Sequence, residues 1–527
     1  MKRGQPPSAK TSRRIDAISK SFVTPRRHFP LGVAGCGTAV RRRGVPNSPN
    51  TRTMTEYLIY LEKTKSMARI YPFRALRYDT SRVKMEDVVT QPYDKITPAM
   101  QQRYYEASPY NLIRVILGKQ FPTDTDEENC YTRAAETLRN WRKERILAEE
   151  GEPALYGYSQ TYTVPHTNEV RERRGFIALG HLYDYADKVI YRHEQTFPKH
   201  KSDRLSLFKA TRAYCEQIYM LYSDPAFTAE KLIFGNDGKY GGTDGKQVGD
   251  ATPADLAITD EYGVVHKVWK LTDPNLINLI VTAMADKKLI IADGHHRYET
   301  SVAYAKERSA QLKLPLDQPY PPMGESSKLA HSHLPTPPFP EAAMMMTFVN
   351  MEAPGITILP THRVVYDIPE FSSPDFITKA SAFFDVKELD SPDIGILAKT
   401  PGVAFVAATG DGNYLLTAKK DVVAKELAGI PARQAQLDVV QLHSLVLERI
   451  LGLTTDSITK LGNIRYIREA DEAVGLVANG EADIAFLIKP ITLDQLKDVS
   501  LSMDVMPQKS TDFYPKLLSG LAIYALD

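Results

Sequence analysis

Two hydrophobic patterns alternate along this chain. Short apolar runs bounded by Gly, Pro, Asn or Asp read as strands, and stretches with apolar residues every three or four positions read as amphipathic helices. From residue 67 the pattern predicts a strand-like run over 88–91 stopped by Pro92, a helix over 99–107 capped by Thr97 and Pro98, and a strand over 111–117. Across 127–149 the apolar positions Ala134, Leu138, Trp141 and Ile146 share one helical face. Alternating stretches over 155–164 and 175–182 follow in the manner of a hairpin, then a strand over 189–191, a helix over 205–214 and a strand over 218–222. The interval 223–275 reads as turns, its glycines matching neither common phosphate-loop fingerprint. A buried strand over 289–292 then leads through an Asp-Gly turn into a helix over 298–308.

Strands are predicted again over 344–350 and 356–359, followed by helices over 374–384, 438–452 and 469–479 and strands over 403–408, 414–418 and 482–488. The fold class expected is α/β or α+β. Five regions follow: a disordered basic extension (1–66), an N-terminal α/β region (67–175), a central core (176–309), a Pro-rich disordered insertion (310–342) and a C-terminal α/β region (343–527) that completes the site.

Composition changes this picture in two places. The net charge of +2 hides an asymmetry, because residues 1–54 carry 12 Lys or Arg against the single acid Asp16. Beyond them 54 basic and 63 acidic residues remain, a balance of −9 that carries no nucleic-acid footprint. The basic leader reads as an early start codon with the natural beginning at Met67, an organelle transit peptide, or a binding tail. Only Cys36, Cys130 and Cys215 occur, which suits a reducing, cytoplasmic setting without a disulfide framework. No apolar run reaches the length of a membrane span, so no membrane partner is expected. Oligomeric state is not encoded in any pattern here.

The candidate chemistry centres on Asp293, Gly294, His295, His296 and Arg297. A strand that delivers these residues to a helix N-terminus places backbone N–H groups and cationic side chains where an anion is stabilised. Metal ligation by both histidines is the alternative, but neighbouring helical side chains diverge. Glu194 follows a strand, beside His193 and close to Lys201 and Arg204, where a carboxylate could take a proton while cations hold phosphates; a surface salt-bridge cluster is the other reading. Asp94 and Asn111 stand at apparent strand boundaries and fit either a site or turn chemistry. His362 and Arg363 end another strand, with core placement as the alternative. Lys509, Ser510 and Thr511 sit in a proline-framed loop suited to anion or small polar capture, or to a plain connection.

Three separated segments resemble one family in the same order: Arg192-His193-Glu194-Gln195, Ala292-Asp293-Gly294-His295-His296-Arg297 and Pro507-Gln508-Lys509-Ser510-Thr511. They are similar to the archaeal free-serine kinases of the ParB/sulfiredoxin-like superfamily, and the chain from about Met67 resembles the longer domain-of-unknown-function family 1015. The resemblance implies a ParB/sulfiredoxin-like phosphotransferase core that phosphorylates L-serine to O-phosphoserine. It implies Glu194 as catalytic base and donor phosphates held by Gly294 to Arg297. Asp293 would be catalytic, or would hold Mg²⁺, and Lys509 to Thr511 would meet the substrate. The donor could be ADP, ATP or pyrophosphate. Lys-Ser-Thr here departs from that family's Lys-Thr-Thr. A non-catalytic nucleotide-binding or DNA-segregation protein is the alternative within the superfamily. Sulfiredoxin-like repair needs a cysteine where this chain has His295.

Overall fold

Apolar runs with no polar alternation form the centre of a mixed nine-stranded sheet. The computed structural model describes residues 67–196, 198–235, 253–317 and 334–527; the basic leader, the stretch after Gly235 and most of the Pro-rich interval lie outside the described residues. The strands lie in the order Ile190–Tyr191, Leu289–Asp293, Ile218–Tyr222, Ala343–Asn350, Val170–His181, Leu155–Thr163, Val265–Leu271 and Leu256–Thr259, with Ile70–Tyr71 added on Val170–His181. Leu289–Asp293 runs parallel to Ile190–Tyr191 and antiparallel to Ile218–Tyr222. Ala343–Asn350 and Ile218–Tyr222 are buried at every position, as strands covered on both faces must be.

A second sheet of six antiparallel strands is built by Phe384–Leu389, Asn413–Ala418, Ala404–Thr409, Ile484–Leu487, His362–Val365 and Ile464–Ile467. Its two faces feed two apolar clusters by simple alternation: Phe405 and Ala407 enter one, Ala404, Val406 and Ala408 the other. The chain then returns to the first sheet. Asp512–Tyr514 pairs with Thr357–Leu359, Tyr524–Ala525 pairs with Ala213–Tyr214, and Met506, Phe513 and Leu521 join the main core.

Several expected elements are revised. The 111–117 run is a short helix, Ile113–Ile116, because the buried Asn111 side chain accepts from the Ile113 N–H (2.9 Å) and turns the chain. The 127–149 helix ends at Lys143, where Arg145 adopts φ +58° and the chain continues as the strand Leu147–Glu149. Within 223–275 the described residues form two helices, Thr228–Phe234 and Pro274–Met284, and a strand pair, Leu256–Thr259 with Val265–Leu271. The expected division at residue 175 falls inside the strand Val170–His181, so both sides of it share one sheet. The helix after the Asp-Gly turn runs from His295 to Leu312, past the expected start of the insertion at 310. In the 438–452 helix, Leu442–Ile450 is wound as a π-helix.

Candidate functional site

Leu289–Asp293 sets the site: Ile291 pairs with Met220 and Asp293 with Tyr219, so a register shift skips Ala292 and re-aims the strand's last residue. Gly294 follows at φ +98° and His295 begins an 18-residue helix. A Cβ at Gly294 would meet Ile218 Cδ1 at 3.1 Å and Arg297 Nη2 at 3.2 Å, so backbone and space both call for glycine. The first N–H groups of that helix have no acceptor within it.

Glu194 is brought in by a parallel bridge to Met506. Its Oε1 accepts from the Lys509 N–H (2.6 Å), while Oε2 has no hydrogen bond among the described residues and lies 4.0 Å from His193 Nε2. Burial raises the Glu194 carboxyl above its ordinary value, beyond what Lys509 offsets. About a fifth of this side chain remains accessible (18%), so the open oxygen can be reached. His193 Nδ1 lies 2.8 Å from the Ile291 carbonyl, which only accepts, so Nδ1 carries the proton and Nε2 accepts from the Thr511 hydroxyl (2.9 Å). Burial pushes His193 down to about 4, and His295, edge-on to it at 4.6 Å between ring centres, well below its usual value. Both rings are therefore neutral at neutral pH. His295 is 7% exposed and its Nε2 has no partner among the described residues.

Around these groups lies a compact charge network. Asp293 Oδ1 accepts from Lys516 Nζ (2.7 Å) and Oδ2 from Arg297 Nη2 (2.8 Å). Lys516 also meets Asp512 Oδ1 at 3.0 Å, and Lys95 reaches the same oxygen at 3.4 Å, with Arg468 on Oδ2. Burial alone would raise the carboxyls of Asp293 and Asp512, but these cations outweigh it and hold both well below the usual carboxylate range. Burial lowers Lys95, whereas Asp293 and Asp512 overcome burial at Lys516 and raise it.

The structure distributes the expected site residues unevenly. Glu194, His193, Asp293, His295, Lys509 and Thr511 converge, with His296 beside them at the helix start and partly exposed. Ser510 is buried and closes the loop by donating to the Pro507 carbonyl. Arg297 is turned inward rather than toward solvent: it is 3% exposed, donates to Gln217 O and Asp293, and lies 4.0 Å from Glu216. Asp94 stands on the turn Tyr93–Lys95 that docks here, its neighbour Tyr93 donating N–H to Glu216 (3.0 Å). Asn111 spends its side chain on the backbone of Asp87, Val89 and Ile113 and takes no part. Lys201 pairs with Glu299, and Arg204 is buried against Asp203, Glu216 and the Ile116 carbonyl.

His362 is buried, accepts from the Ile488 N–H (3.2 Å) and is pushed by burial down to about 4. Arg363 is fully buried and reaches the site from behind the loop, donating to the carbonyls of Gln508 and Lys509. It makes no ion pair among the described residues, its Nε has no partner, and burial pushes it down to about 10 against the influence of Tyr466 and Glu194. Next to it a cavity of about 420 Å³ is lined by Gln195, His443, Ser444, Tyr466, Pro507 and Gln508 among others. His443 Nε2 and Tyr466 Oη, both buried, also lack partners there.

Sequence reading passed over Lys95, Glu216, His443 and Tyr466, and took Lys516 only as the second lysine of the proline-framed loop, with no role for Asp512. Lys95 adjoins a stretch already singled out; the π-winding that carries His443 leaves no mark in the periodicity. Mg²⁺ on Asp293 is not supported by the donor set, since both carboxylate oxygens already hold a cation. No group of three or more His, Cys, Asp or Glu side chains is arranged for a metal among the described residues. No helix among them is long and apolar enough to cross a membrane.

The protein is thus a mixed α/β protein in which a partly buried acid with one open oxygen, Lys95, Lys509 and Lys516, and a helix start lie together. The chain belongs to the family of proteins of unknown function designated DUF1015, whose profile matches residues 70–440. No curated protein matches it. Among solved structures it is similar to a free serine kinase in complex with AMP (11% identity, 62% of this chain and 83% of that one, TM-score 0.29). A conserved hypothetical protein from Pyrococcus furiosus gives 11% identity, 62% and 89% coverage and a TM-score of 0.29. SbnI with C-terminal truncation from Staphylococcus aureus gives 12%, 65%, 85% and 0.30.

Proposed function

We propose that this chain is a phosphotransferase that moves a phosphoryl group from a nucleotide or pyrophosphate to the hydroxyl of a free small molecule, with L-serine as the acceptor. The observation that carries the reading is Glu194: one carboxylate oxygen is fixed by the Lys509 N–H, the other is open, and burial raises its proton affinity. A base held this way needs no reorganisation to accept a proton. The three-segment resemblance supports the same role for it.

In this reading Glu194 takes the hydroxyl proton as the acceptor oxygen bonds to phosphorus, and the bond from phosphorus to the leaving phosphate oxygen breaks with its electron pair on that oxygen. The charge spread over the phosphoryl oxygens is met by the N–H groups at His295 and by Lys516, Lys95 and Lys509. Asp293 positions Lys516 and Arg297 rather than reacting. Arg363, with His443 and Tyr466 at the adjoining cavity, supplies the unpaired cation and polar groups that an acceptor carboxylate requires. No step is routed through a metal.

The test is phosphorus NMR of the protein with serine, Mg²⁺ and ADP, ATP or pyrophosphate in turn. O-phosphoserine is expected with one donor, and Glu194→Gln should remove it while calorimetry still reports donor binding. Absence of product with every donor would overturn the proposal.

A further inference from the structure

A second cavity, about 940 Å³ and within the size range of small-molecule sites, opens in the C-terminal region. One wall is apolar, formed by Val403, Val423, Leu427, Ile430 and Ile491. Asp438 and Gln441, three residues apart and so on one helical face, form another part of the lining. Gln441 is 5% exposed, and its Nε2 donates to the Ala435 carbonyl (2.8 Å), which fixes the amide's orientation and leaves Oε1 without a partner. Asp438 Oδ2 is likewise unpartnered. Two buried acceptors left empty are unfavourable, and a donor bound in the cavity would satisfy both.

A cation shares the same lining. Lys489 Nζ donates to the carbonyls of Thr400 (3.1 Å) and Gly402, which leaves one of its three protons. It lies close enough to Asp438 to lower that carboxyl's proton affinity, yet the two form no ion pair. Burial still raises Asp438 to about 7, more than Lys489 offsets. Lys420, exposed, stands at the rim. An unbridged acid and base beside an apolar wall match the three parts of one ligand class.

We infer that this cavity binds a free α-amino acid with an apolar side chain: ammonium on Asp438 and Gln441, carboxylate on Lys489, side chain against Val403, Val423, Leu427 and Ile491. The inference does not rest on the phosphotransfer reading, and its readout is binding rather than turnover.

The experiment is isothermal titration calorimetry of the full chain with L-leucine, with isopentylamine, which lacks the carboxylate, and with 4-methylpentanoate, which lacks the ammonium. Leucine should bind, and each truncated probe should bind about tenfold weaker or less, as loss of a charged hydrogen-bonded contact requires. Asp438→Asn should weaken leucine by a similar factor. Ala424→Trp, at an exposed position on the cavity lining, should abolish binding with an unchanged melting temperature. Leucine that fails to bind at millimolar concentration, binds equally well to Ala424→Trp, or is matched by isopentylamine would overturn the assignment.

Discussion

Replacing Asp293 by Asn tests whether the site is held by charge. Asp293 is the shared partner of Lys516 and Arg297, whose side chains are 9% and 4% exposed. Removing one member of a buried pair commonly costs about 3–5 kcal/mol because the other charge is stranded. Two features lower that here. Lys516 retains Asp512 at 3.0 Å, and Arg297 retains Glu216 at 4.0 Å. Asp293 itself is 19% exposed, so water already screens part of its field. The expected loss is therefore about 2–3 kcal/mol, and Asp293→Asn with Lys516→Met should recover about 1 kcal/mol or more of the summed single losses. Urea unfolding followed by the fluorescence of the buried Trp141 and Trp269 measures each variant at neutral pH. The sign with pH is also fixed: a carboxyl held below its ordinary value contributes stability above that value and loses it only as pH falls through the depressed one. The deficit of the variant should thus persist at pH 5. A loss below about 0.5 kcal/mol, the level of an ordinary surface change, or strictly additive single effects would refute this account of the network.

Other outcomes follow from the same contacts. Glu194→Gln should lower turnover by about 10²–10⁴, the usual worth of a general base, with donor affinity kept; stopped assays with each donor decide it. Activity should fall on the acid side through an apparent pKa above the ordinary glutamate value, because burial raises Glu194 and the base must be ionised; a pH–rate profile with no such limb contradicts the role. Arg363→Gln should raise the acceptor's KM by about tenfold or more, as loss of a charged hydrogen bond does, with less effect on donor binding; equal effects on both would remove Arg363 from the acceptor side. His193 and His362, both lowered by burial to about 4, stay neutral in the fold while the unfolded chain takes up protons below 6.5. Each of these two histidines should therefore cost stability as pH drops from 6.5, by about 2 kcal/mol at pH 5, its share levelling off near pH 4; denaturant titrations of the parent and of each His→Gln variant across this range would show it.

What the sequence displayed depended on how local its cause was. The strand, turn and helix start from Leu289 to Arg297 were legible because an apolar run, an Asp-Gly and a helix former are neighbours in the chain. The Glu194 and Lys509 segments were legible as motifs, but not that the loop's backbone N–H would grip the carboxylate. The inward turn of Arg297, expected among the residues that hold phosphates, was not legible, since nothing in the sequence near it announces Gln217 or Glu216 as partners. The ion pairs of Asp512, Lys516 and Lys95 escaped for the same reason: they exist only after three distant segments close on one another. The run at 111–117 misled because its β-branched residues outweighed a capping asparagine whose effect depends on burial.

Because the last part of the pocket is drawn from residues 506–516, its contacts join positions 315 and 223 residues apart. During synthesis a ribosome-bound chain would already have folded the strand and helix around Asp293 while Glu194 still lacked the loop that pins it. The nascent protein would thus carry Glu194 and the helix start at His295 before the loop that grips the acid is available to join them.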